Sequence, residues 1–132
     1  MTVAERVQMA LKGTREERLI LIRDSNRMVA SAVLQSPKLS ESEVEAVALM
    51  TNVSEEVLRL IGAKREFVKS YAVLHNLVKN PRTPLGTSLT LLSRILTTDL
   101  KPLARSKNIP EVLRKAAQRQ LQTRTAPKQP RS

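Results

Sequence analysis

The chain has 132 residues, enough for one domain with a real core and too few for two ordinary ones. Apolar residues make up 41% of it, as in a folded protein, but aromatics only 2%, so Leu, Val, Ile, Met and Ala must fill the interior. It has no cysteine, which excludes disulfides, thiolate zinc sites and cysteine nucleophiles, and its net charge is +11.

Apolar positions recur at helical spacing almost everywhere, and strand-like alternation is nearly absent. Thr2 with Glu5 opens the first predicted helix as a capping box. That opening segment mixes acid and base without a long apolar stretch, so it does not read as a signal peptide. Thr14 with Glu17 opens a second helix, and Gly13 is placed to end the first. Asp24-Ser25-Asn26 is a turn and cap before a helix from residue 27, and Ser40 with Glu43 forms a third box. Ser54 caps a helix whose first turn holds Glu55 and Glu56, with Gly62 at its expected end. Phe67, Tyr71, Leu74 and Val78 form one stripe, which predicts a longer helix over 66–79. Thr83-Pro84 and Ile109-Pro110 place proline at a first helical position, and Asp99 caps a segment with Pro102 in its tolerant first turn. No apolar run reaches the 18 or so residues of a membrane span, and the expected location is cytoplasmic.

Predicted helix starts thus fall near residues 2, 14, 27, 40, 54, 66, 84, 99 and 110. Alternate starts are mostly about 25 to 30 residues apart, the rhythm of helix pairs that bury their apolar faces only by stacking on neighbours. The expected core includes Leu19, Ile22, Val29, Val33, Val44, Val47, Val57, Ile61, Phe67, Tyr71, Leu74, Val78, Leu85, Leu89, Leu92 and Leu113. VASAVLQSPK (29–38) aligns with VLHNLVKNPR (73–82), and NVSE (52–55) with NIPE (108–111). DSNRMVASAVLQSPKLSESEVEAVA (24–48), and more clearly VKNPRTPLGTSL (78–89), resemble leucine-rich repeat variant and HEAT-like helical repeats. Residues 14–122 are also similar to a group of small bacterial helical-repeat proteins. The resemblance implies a right-handed α-solenoid of about eight or nine short helices and brings no catalytic residue. The expected organisation is one all-α domain over residues 1–122, then a disordered basic tail over 123–132.

Little chemistry is legible. The single histidine, His75, lies one turn after Tyr71 and reads as a partly buried ring; a lone histidine without cysteines is a poor metal site. Glu16-Glu17, Glu41-x-Glu43-x-Glu45 and Glu55-Glu56 could pair for acid–base work, but each sits in a predicted first turn, where the helix dipole favours acids. Three scattered glycines allow neither a P-loop nor a dinucleotide fingerprint. The expectation is no enzyme activity, no cofactor, no metal, no small-molecule substrate and no membrane partner.

Charge is the informative feature. Residues 14–62 hold six basic and eight acidic groups, whereas residues 63–132 hold fifteen and three. A cationic half of this kind suits a polyanionic partner. The candidate contact residues are Lys64, Arg65, Lys69, Lys79, Arg82, Arg94, Lys101, Arg105, Lys107, Arg114, Lys115 and Arg119. The expected function is a non-enzymatic scaffold or adaptor module that binds an acidic protein partner there. The alternative is sequence-independent nucleic-acid or ribosome association through the same surface, although exposed aromatics for base stacking are nearly absent.

Overall fold

The computed structural model describes residues 1–126, which form ten helices and no strand. In chain order these are α1 (Val3–Lys12), α2 (Arg15–Leu21), α3 (Arg27–Gln35), α4 (Glu41–Ala48), α5 (Glu55–Ala63), α6 (Arg65–Val68), α7 (Tyr71–Lys79), α8 (Leu85–Leu92), α9 (Thr97–Leu103) and α10 (Glu111–Thr125).

The N-terminal helices start where their own residues dictate. Thr2, Thr14 and Ser40 each accept from the amide of the glutamate three residues on, and each glutamate accepts from the cap amide in return. Asn26 and Ser54 cap α3 and α5 with their side-chain oxygens. Downstream, local signals mislead. The continuous stripe predicted over 66–79 breaks at Ser70, whose hydroxyl accepts from the Val73 amide and starts α7 separately from the single turn of α6. Pro84 and Pro110 occupy cap positions instead of the first helical ones, so α8 and α10 have no capping side chain. Thr83 therefore does not cap α8. It is forced towards extended backbone by the following proline, and its buried Oγ1 has no hydrogen-bond partner among the described residues. Asp99 lies inside the first turn of α9, after the cap Leu96, and Pro102 near the end of that helix. Gly62 lies within α5, not beyond it.

The last helix corrects the expected domain end. It continues to Thr125, so residues 123–125 of the predicted tail are helical; residues 127–132 lie outside the described part.

Alternate helices pack in succession: α1 on α3, α3 on α5, α5 on α8 and α8 on α10. A second row is tied by an Arg18–Glu43 bond between α2 and α4, by packing of α4 on α7, and by a Tyr71–Asp99 bond between α7 and α9. Between the rows lies an aliphatic core in which Ile22, Leu58, Ile61, Leu74, Leu77, Leu92, Ile95, Leu100 and Leu113 are the largest fully buried side chains. Most of the expected core residues are buried there. Leu19, Leu85 and Leu89 are not: they reach the surface, Leu89 with 37% exposure, and Phe67 and Tyr71 are half-buried. Leu91 and Leu92 are the leucines that α8 turns inward.

Polar side chains also reach back 25 to 32 residues to backbone carbonyls. Ser36 donates to Leu11 O at 3.0 Å, and Asn80 Nδ2 donates to both Ala48 O and Met50 O at 2.9 and 2.8 Å. Arg82 donates to Val53 O and Arg94 to Val68 O. Arg124 donates to Ser93 O and Ile95 O, which anchors the end of α10 on the loop between α8 and α9. These donors satisfy carbonyls that a helix end or loop leaves unpaired.

Candidate cationic interface

All twelve predicted contact residues reach solvent; eleven are exposed and Arg114 is half-buried. They are spread over α6, α7, α9, α10 and the loops beside them. Lys64, Arg65 and Lys69 lie around α6, beside the start of α7. Lys79 and Arg82 lie at the other end of α7, which at 1.5 Å per residue is about 13 Å away. Arg105 and Lys107 follow α9 and Lys101 is on it, whereas Arg94 precedes it. On α10 the exposed stripe is Val112, Lys115, Arg119 and Gln122. Val112 belongs to this outer stripe and not to the buried side that its apolar nature suggests.

Several of these cations already have work. Lys64 pairs with Glu66 at 3.7 Å and lies 4.9 Å above the Phe67 ring. Arg114 and Lys115 both face Glu111, at 3.8 and 3.3 Å. Arg82 and Arg94 are committed to the backbone bonds described above. Among the described residues, Arg65, Lys69, Lys79, Lys101, Arg105, Lys107 and Arg119 have neither an acidic partner within 4 Å nor a side-chain hydrogen bond. The three acids of this half are all engaged: Glu66 with Lys64, Glu111 as above, and Asp99 with Tyr71. The charge surplus is therefore real at the surface and is concentrated on α6, α9 and α10 and on the loops beside them.

Two polar clusters went unread in the sequence. The first centres on Asp99, whose Oδ2 accepts from the Tyr71 hydroxyl at 2.6 Å while that hydroxyl accepts from the Leu96 amide at 2.9 Å. Tyr71 thus caps α9 from a neighbouring helix. Burial and the bond to Asp99 raise the Tyr71 pKa. His75 stacks on Tyr71 at 5.7 Å between ring centres and has Nδ1 3.9 Å from Asp99. Burial, then the Lys79 charge, lowers the His75 pKa against the opposing pull of Asp99. The bonds of Tyr71 and Asp99 account for both as a helix cap.

The second cluster is the Arg18–Glu43 pair, 2.8 Å apart with side chains only 7% and 9% exposed. Arg18 also donates to Gly13 O, and Glu43 serves the α4 capping box at the same time. Burial alone would raise the Glu43 carboxyl, but the bonds from Arg18 and from the Ser40 amide hold it below its ordinary value. The sequence marks Glu43 only as a cap because Arg18 lies 25 residues away.

No group of three or more His, Cys, Asp or Glu side chains among the described residues is placed to hold a metal ion, and none of their helices is long and apolar enough to cross a membrane. Compared with protein-family models, with curated proteins and with solved structures, the chain matches none.

Proposed function

We propose that this chain is a short right-handed α-solenoid of the HEAT-like or leucine-rich repeat variant kind, acting in the cytoplasm as a non-enzymatic adaptor for an acidic protein partner. Support for the repeat reading comes from the two helix rows and from the side-chain-to-carbonyl bonds that recur 25 to 32 residues apart. The observation that carries the binding reading is the set of seven cations left without partners while every acid of the same half is engaged. A partner's carboxylates supply the missing countercharge, and stacked helices offer an extended surface for them. Protein is favoured over nucleic acid because the free cations are spread over α6, α7, α9, α10 and their loops and no aromatic is free to stack on a base. Phe67 lies beneath Lys64, and the Tyr71 hydroxyl is bonded on both sides.

The test is capture of partners from lysate with the full chain, with and without nuclease, and with a Lys101→Glu, Arg105→Glu, Lys107→Glu variant. A protein that stays bound after nuclease at about 0.3 M salt and is lost in the variant supports the reading. Capture that vanishes with nuclease, with an affinity falling by about 0.9 log units per log unit of salt for each phosphate contacted, replaces it with nucleic-acid binding.

A further inference from the structure

A shallow trough runs over the face formed by α3, α5 and α8. Between α3 and α5 it comprises a cavity of about 430 Å³ beside Met28, Ser31 and Leu60, continued by one of about 320 Å³ beside Ser31, Leu34, Leu60, Ala63 and Phe67. The two share Ser31 and Leu60, so they form one groove along both helices, about 13 Å long by helical rise. Ala63 also lines a cavity of about 450 Å³ between α5 and α8, which extends the trough to Gly62, Gly86 and Thr87.

Ser31 and Ala63 are small, which lets another backbone come close beside Leu34 and Leu60, while Met28 stands 67% exposed at one end and Phe67 lines the other. The charges that line it are Arg27, Arg59 and Lys64 against one acid, Glu56. Glu56 is taken up by Arg59 at 2.6 Å and by Arg27 at 3.7 Å, and its pKa is lowered chiefly by the hydrogen bond from Arg59. An apolar floor of this length between cationic rims complements one kind of ligand.

We infer that this trough is the docking groove for an amphipathic helix of the partner, apolar on the inserted face and acidic on its flanks. The inference rests on the acidic protein partner proposed above and gives that partner a form and a second place to bind. The apolar stripe fills the space over Leu34, Leu60 and Ala63, and the flanking carboxylates face Arg27, Arg59 and Lys64, which share or exchange their present partners Glu56 and Glu66.

The probe is a fluorescently labelled synthetic peptide of about 14 residues that alternates pairs of glutamate and leucine, long enough to span the groove as a helix. Its counterpart has lysine in place of glutamate. Two variants fill the trough from positions that tolerate it: Ala63→Trp, from an exposed residue, and Gly86→Leu, where an added Cβ meets nothing within 4 Å. Anisotropy titrations on the full chain are expected to show the acidic peptide binding saturably and the lysine peptide not binding. Each variant should weaken the acidic peptide by at least about tenfold without lowering the melting temperature. No binding of the acidic peptide to the wild type, or equal binding by wild type and both variants, overturns the groove. Loss only in the Lys101→Glu, Arg105→Glu, Lys107→Glu variant overturns the groove and leaves the cationic interface standing; loss in the trough variants with binding kept in that variant supports the groove and leaves the cationic interface to the lysate capture.

Discussion

The two glycines of α5 and α8 give opposite expectations from the same substitution. A Cβ added at Gly62 would lie 2.5 Å from Thr87 Cγ2, well inside the 3.5–4.0 Å at which carbons attract, whereas one added at Gly86 meets nothing within 4 Å. Neither glycine has positive φ, so backbone strain is absent from the comparison. Alanine in place of glycine inside a helix gains about 0.5–1 kcal/mol. At Gly86 that gain stands, reduced somewhat by its place in the first turn. At Gly62 it is opposed by overpacking of about 1–3 kcal/mol, because Thr87 is β-branched and cannot easily swing its methyl aside. Thermal unfolding followed by circular dichroism is expected to rank Gly86→Ala above wild type and Gly62→Ala below it. For a chain of this size about 1 kcal/mol moves Tm by roughly 3–5 °C. Thr87→Ser removes the offending Cγ2, so it should restore most of the loss in the Gly62→Ala background, a coupling that a double-mutant cycle measures. If Gly62→Ala melts as high as Gly86→Ala, the close contact of α5 and α8 does not exist as described.

Two further outcomes follow from the stitches between units. Asn80 is 3% exposed and holds Ala48 O and Met50 O while accepting from the Arg82 amide, so Asn80→Ala should cost about 2–4 kcal/mol in chemical denaturation, with Asn80→Asp no better because it lacks the donors. Arg18→Ala leaves the Glu43 carboxylate buried and unpaired, a loss of about 3–5 kcal/mol, whereas Arg18→Met with Glu43→Leu should recover much of it. The same pair fixes a pH dependence. The Glu43 pKa is lower folded than unfolded, so its contribution is present above the unfolded value of about 4.3 and is lost as pH falls through the folded one. Urea midpoints between pH 5 and pH 2.5 should therefore fall less steeply in the double variant than in the wild type; equal slopes would exclude Glu43 as a contributor.

The trough and the stitches explain why part of this molecule is readable from its residues and part is not. An N-cap is decided within four residues, and Thr2, Thr14, Asn26, Ser40 and Ser54 each announce their helix correctly. Ser70 was silent because position 73 holds valine instead of the glutamate that would complete a capping box, while the apolar stripe ran unbroken across it. The basic residues were legible as a surplus and not as a surface: Arg82, Arg94 and Arg124 look like their neighbours in sequence, yet each is bound to a carbonyl on an earlier unit.

Composition and local pattern by themselves determined an all-helical chain, an aliphatic core, the rhythm of short helices and a cationic C-terminal half. Only the tertiary structure decided which leucines of α8 face inward, which cations remain free, and that a shallow groove crosses α3, α5 and α8. The physical reason is range. Caps and helical periodicity depend on neighbours within one or two turns, whereas burial, ion pairing and groove shape depend on contacts between residues about two helices apart, and these exist only once the helices have packed.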